Sequence, residues 1–202
     1  MIRVWDPAIR VFHWGLVASF AIAWLSADEV QGLHIWAGYT AAALIAFRLV
    51  WGLIGPRYAR FSQFLTGPGA ALAYLRQMRH GTEPRYLGHN PAGALMIVAL
   101  LVTLSFTAWT GWMMTGPVPQ IAGIEPGQNL TQGDDDGEGN EHGEGGGSEV
   151  FKDLHEVAAN LMLALVIVHI GGVILASRKT RENLARAMIT GTKRVPEPGD
   201  IA

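Results

Sequence analysis

The chain has 202 residues, half of them apolar and 16% charged, and its mean hydropathy is above zero. Soluble domains carry about 25% charged residues, so this composition points to a polytopic membrane protein of one domain spanning residues 1–202. There is no cysteine, which excludes disulfides, thiolate zinc sites, iron–sulfur clusters and covalent c-type haem attachment within the chain.

Four segments are long and apolar enough to cross about 30 Å of hydrocarbon: residues 9–27, 34–54, 91–115 and 151–176. The first follows Arg3 and Arg10 and ends in small residues, as a signal peptide does. His13, Trp14 and Trp24 are unusual in such a peptide, and the segment reads as a span. Gly55-Pro56 stops the second span, because proline lacks the amide donor and disfavours helix before it. The central loop up to Asn90 contains Gly67–Arg79, where Leu72, Leu75 and Met78 recur at helical spacing and predict a helix lying on the membrane surface. Asn90 and Pro91 suit the N-cap and first turn of the third span.

The outer loop, residues 117–149, holds a low-complexity acidic run that predicts a solvated spacer or an electrostatic landing patch for a basic partner. Asp134, Asp136 and Glu138 fall at calcium-loop spacing, but Gly145 stands where a bidentate glutamate is needed. After the fourth span, Leu184, Ala187 and Met188 with interspersed basic residues predict a second surface-lying segment. Of the 15 basic residues, all but Lys152 fall on one side of this arrangement. By the positive-inside rule both termini and the central loop are cytoplasmic, with the acidic loop outside.

Histidines carry the chemistry. His155 and His169 lie fourteen residues apart in the fourth span, a rise of about 21 Å over nearly four turns, so both rings point to roughly one side at opposite depths. His13, about a turn into the first span from the inside, shares the cytoplasmic half with His169. His34, at the outer start of the second, shares the outer half with His155. A single histidine near a helix end more often bonds to backbone or headgroups. Two depth-matched pairs, each able to supply two axial nitrogens to a flat macrocycle between helices, suggest two stacked b haems and an electron conduit. His89, just ahead of the third span, is a candidate contact for a haem propionate, a quinone headgroup or a proton path, with interfacial capping as the alternative. Arg48 and Arg57 are candidates for haem carboxylates, with snorkelling to lipid phosphate as the alternative. His80 and His142 read as solvated. Gly15, Gly38, Gly93, Gly171 and Gly172 permit close approach of helices or of a macrocycle.

With these residues placed, the chain resembles the bacterial cytochrome b561 family, which includes the b-type cytochrome subunits of nickel–iron hydrogenases. The matching pieces are VWDPAIRVFHWG (4–15), LHIWAGY (33–39), RLVWGLIGPRYARF (48–61), YLGHNPAGALM (86–96), LHEVAANLMLALVIVHIGGV (154–173) and RENLARAMITGTKR (181–194). The resemblance implies an all-α integral membrane protein, a four-transmembrane-helix bundle binding two b haems, with His13, His34, His155 and His169 at positions matching the family's ligands. It implies electron exchange between quinone or quinol and a redox partner, expected to be periplasmic and a c-type cytochrome, and a possible quinone oxidoreductase activity. Membrane lipid is the other expected partner, and no nucleic acid is expected. A membrane-anchor subunit of a hydrogenase or similar oxidoreductase is the alternative from the same class. A haem-free small transporter is the alternative from another, and the lack of a visible inverted repeat or of acidic residues deep in the spans argues against it.

Overall fold

The computed structural model describes residues 1–115 and 145–201, with the side chains of 145–148 left aside. The acidic run, with its calcium-like spacing and His142, therefore lies outside the described residues. The chain opens with strand β1 (Ile2–Arg3), followed by α1 (Pro7–Ser26) and α2 (Gln31–Ile54). A 3-10 turn at Arg57–Ala59 leads to α3 (Phe61–Phe64) and α4 (Pro68–His80). The long helices α5 (Pro91–Thr115) and α6 (Gly145–Thr180) come next, then α7 (Leu184–Thr190) and strand β2 (Thr192–Lys193).

Among the described residues four helices are long and apolar enough to cross a membrane, as the sequence predicts. Only 11% to 28% of each apolar window is buried inside the protein, so most of their apolar surface is left for lipid. The fourth helix is longer than its hydropathy suggests, running past Ala176 to Thr180 and starting inside the glycine run at Gly145. Helix propagation adds a backbone hydrogen bond per residue once nucleated, so an apolar span carries polar flanks with it. Asp6 caps α1, its carboxylate accepting from the Ala8 and Ile9 amides, and Asn90 caps α5 through the Gly93 amide. In the spans, Ser26, Ser105 and Thr107 donate to the carbonyl four residues back, which satisfies hydroxyls that lipid cannot. α1 packs on α2, α5 on α6, and α2 on α5. Their shared core is Ile45, Leu104 and Met162, flanked by Leu16, Phe20, Leu100 and Val166.

At the end where α2 finishes and α5 begins, the chain's two extremities build a cap. β1 and β2 pair antiparallel, Ile2 opposite Lys193 and Arg3 opposite Thr192. The Val4 and Trp5 amides both donate to the Gly191 carbonyl, at 2.9 and 3.1 Å. Gly191 has φ +81°, and a Cβ there would stand 2.7 Å from the Trp5 carbonyl oxygen, so glycine is required twice over. Further along, Ile201 donates to the Arg85 carbonyl and accepts from the Leu87 amide. The surface-lying expectation for the C-terminal segment is corrected here. α7 forms, but Ala187 is buried and Met188 packs with Val4 and Trp5, so this face covers protein rather than lipid. The central helix α4 divides its faces: Ala71 and Tyr74 are buried, while Leu72 and Leu75 stay half exposed on the side the sequence assigns to the membrane.

Arg85 ties the cap together. Its guanidinium reaches Glu182 at 3.1 Å and Asp200 at 2.5 Å, with the three side chains 7–10% exposed. Arg85→Met should weaken the docked tail by about 1–2 kcal/mol once screening by nearby water is allowed for. Trypsin should then cut after Arg194 several-fold faster than in the parent, which is read on a gel. The Glu197 amide and the Arg85 guanidinium hold the Asp200 carboxyl below the usual carboxylate range. Its contribution is complete above the unfolded value of about 3.9 and is lost as pH falls through the lower folded value, so acid below about pH 4 should loosen the tail, read as faster amide hydrogen exchange at residues 197–201.

Candidate functional site: two histidine pairs at opposite ends of the bundle

The four histidines singled out in the sequence lie on α1, α2 and α6, and the structure brings His34 and His155 into ring contact. His34 lies in the first turn of α2, and His155 lies on α6. Their ring centroids are 5.9 Å apart, with the planes at 73°. Each ring is anchored by one nitrogen. His34 Nδ1 is 2.8 Å from the Ala23 carbonyl oxygen, and His155 Nδ1 is 3.0 Å from the Thr107 carbonyl oxygen. A carbonyl only accepts, so both Nδ1 atoms carry the proton, and each Nε2 is left with its lone pair. This is the arrangement in which metal-binding histidines are usually held, the far nitrogen bonded to a carbonyl that fixes tautomer and orientation. Thr110, fully buried, sits 3.1 Å from His155 Nδ1 through its hydroxyl. Thr107 and Thr110, three residues apart on one side of the span, are a polar signal the sequence reading passed over.

Gly111 completes the outer site. A Cβ there would come within 3.2 Å of His155 Cε1. Gly111→Val should tilt the ring off the Thr107 carbonyl and the Thr110 hydroxyl and lower the occupancy of whatever the pair binds. Difference spectra of purified protein against the parent measure this.

At the opposite end, His13 on α1 and His169 on α6 are near enough to interact electrostatically. His13 stands edge-on to Trp14 at 5.1 Å, and its Nδ1 is buried with no hydrogen-bond partner among the described residues. All four histidines are half-buried, and Gly38, Gly171 and Gly172 face open space. Among the described residues no group of three or more His, Cys, Asp or Glu gathers to chelate a bare ion. Two facing imidazoles without a third protein donor suit an ion that brings its own equatorial ligands, as haem iron does. The donor set therefore fits the group the sequence reading expects.

Around the cap-side pair lie the other singled-out residues. Arg48 is 3% exposed, which rules out snorkelling to lipid phosphate. Its guanidinium lies under the Phe61 ring at 4.4 Å, and Nη1 has no partner among the described residues. Gly52 makes room for this, since a Cβ there would overlap the Phe61 ring. His89 is wedged between Trp5 at 4.6 Å and Phe64 at 4.5 Å, in contact with a cavity of about 70 Å³ bordered by Tyr58, Tyr86 and Pro91. Burial, and then the charges of Lys193, Arg48 and His169, push His89 down to about 3, so it is neutral at physiological pH. Its Nδ1 also lacks a partner among the described residues. Arg57 is set apart, exposed over Tyr58 and 3.4 Å from the Gln63 side-chain oxygen. His80 is exposed on α4.

The sequence model of one family, described as prokaryotic cytochrome b561, matches residues 4–191. No curated protein and no solved structure matches the chain.

Proposed function

Because the chain belongs to the prokaryotic cytochrome b561 family, and is thus a multi-pass membrane b-type cytochrome of electron transfer, we propose that it moves electrons across the membrane through two b haems. His13 and His169 hold one and His34 and His155 the other. Each haem, when bound, accepts one electron and passes one on. The protein's part is to fix the axial nitrogens, exclude water with Ile45, Leu104 and Met162 between the two sites, and set the charge around each. The observation that carries this reading is the His34–His155 pair, rings face to edge 5.9 Å apart and both Nδ1 atoms bonded to carbonyls, which leaves each Nε2 without its proton. Electrons enter from or leave to the quinone pool, and the far partner is a periplasmic redox protein, a c-type cytochrome. The whole chain acts as one unit in the bacterial inner membrane.

The cap gathers both termini and the central loop at one end, and with them most of the basic residues, which supports a cytoplasmic cap. The His13–His169 haem is then the inner one. The test is the haem-to-protein ratio of purified protein by pyridine haemochrome, followed by reduction with a short-chain quinol and reoxidation with a soluble cytochrome c. A ratio near two with both half-reactions supports the reading. Protein purified with haem available that carries none overturns it.

A further inference from the structure

Where α6 runs into the cap, one face of the helix changes character in order. Ile174 is half exposed, and Ser177 and Arg178 follow about one turn later. Arg181 lies in the turn that joins α6 to α7. With Val173 and Asn183 these residues line one open groove of about 350 Å³.

The free polar groups of this groove are donors. Among the described residues the Arg178 and Arg181 guanidinium groups have neither a hydrogen bond nor an ion pair. Ser177 Oγ accepts from the Leu184 amide, and its own proton has no acceptor among the described residues. Asn183 gives its side-chain oxygen to the Arg186 amide, which leaves its NH₂ group. Glu182 also borders the groove, but its carboxylate is buried, 3.1 Å from the Arg85 guanidinium and 2.8 Å from the Arg194 amide.

Basic residues in the last turn of a helix complement its carbonyl end, which accounts for Arg178. It does not account for Arg181. This residue closes α6 at φ +51°, with the Glu182 amide bonded back to the Ser177 carbonyl at 3.2 Å. Glycine is the usual residue there, because a Cβ strains the left-handed conformation. The chain itself uses glycine at the ends of α4 and α7, at Gly81 and Gly191. At the end of α6 it keeps the strain and places an arginine in the groove.

We infer that this groove seats one anionic glycerophospholipid, its phosphate on Arg178 and Arg181 and an acyl chain along Val173 and Ile174. Apolar wall, hydroxyl and cation follow one another as acyl chain, glycerol ester and phosphate do in the lipid. A guanidinium can grip two phosphate oxygens at once. Ile174 belongs to a membrane-crossing helix, so the apolar end of the groove opens on hydrocarbon, and a soluble anion would leave that end unused. The seat is independent of the haems and of the direction of electron flow. Since α7 leads directly into β2, a lipid held here ties the cap to the bilayer.

The experiment takes purified full-length protein, stripped of lipid in mild detergent. Phosphatidylglycerol or phosphatidylcholine of the same acyl chains is added back, and native mass spectrometry counts the lipids that stay bound. The parent should retain one phosphatidylglycerol about tenfold better than phosphatidylcholine. Arg178→Gln and Arg181→Gly should each cut that preference several-fold, and together they should abolish it. Arg181→Gly should do so without lowering the melting temperature of the lipid-free protein, since glycine relieves the turn. Arg178→Gln carries the test should Arg181→Gly not accumulate. Arg76→Gln with Arg79→Gln removes the same charge from exposed positions on α4 and should change nothing.

Equal retention of the two lipids by the parent overturns the inference. So does an undiminished preference in the Arg178→Gln, Arg181→Gly double variant. A loss of the same size in the α4 variant overturns it in favour of diffuse surface charge. Release of phosphatidylglycerol by millimolar inorganic phosphate overturns it in favour of a site for the phosphate alone.

Discussion

Replacing His155 by alanine should leave a protein with one haem in place of two, and His34→Ala should do the same. The two rings face each other with 5.9 Å between their centroids, each with Nδ1 bonded to a carbonyl, and among the described residues no third histidine contacts the pair. The surviving haem should be the inner one, with its spectrum and potential close to the parent's, because the inner pair lies at the other end of the bundle. His13→Ala and His169→Ala should give the complementary loss. Pyridine haemochrome against protein concentration gives the count, and full two-haem content in His155→Ala would sink the assignment. Replacing Thr110 by valine keeps the ligand and removes only the hydroxyl 3.1 Å from His155 Nδ1, so it should keep both haems and shift the outer potential alone.

The second large effect is an all-or-none change in labelling. The chain has no cysteine, so a single introduced thiol reports its own side of the membrane. Asp28 is exposed in the turn between α1 and α2, and Glu197 is exposed on the cap. In intact cells a membrane-impermeant maleimide should label Asp28→Cys and leave Glu197→Cys untouched; after permeabilisation both should react. The reverse pattern would invert the molecule and exchange the inner and outer haems. Either result holds the cap together as one side, because β1, β2, the Arg85 network and the start of α5 meet there.

What the sequence could disclose follows from the range of the forces involved. Hydropathy is local, and the four spans were legible to within a few residues, with only the polar flanks of α6 escaping notice. The spacing of His155 and His169 is likewise local, being fixed by helix rise, and the depth match with His13 and His34 follows from it. The cap was not legible. Ile2 and Lys193, or Arg85 and Asp200, meet across more than a hundred residues, and nothing near any of them announces the partner. The amphipathic spacing of Leu184, Ala187 and Met188 marked a face to be buried without saying against what. Val4 and Trp5 took the place assigned to lipid. Arg48 shows the same limit: an arginine near the end of a span reads equally as snorkelling or as a cofactor contact, and only its burial under Phe61 sets snorkelling aside.

The pairing of β1 with β2 also sets an order of events during synthesis. Residues 2 and 3 leave the ribosome well before their strand partners at 192 and 193. At about 5–20 residues per second the first strand waits roughly 10–40 s for its mate. Near the end of that interval the four long helices have been made while Trp5 still has no strand to pin it and the cap end of the bundle stands open. Closure of the cap thus comes after the spans are made, timed by translation itself, and a large rigid molecule destined for that end has until then an unobstructed way in.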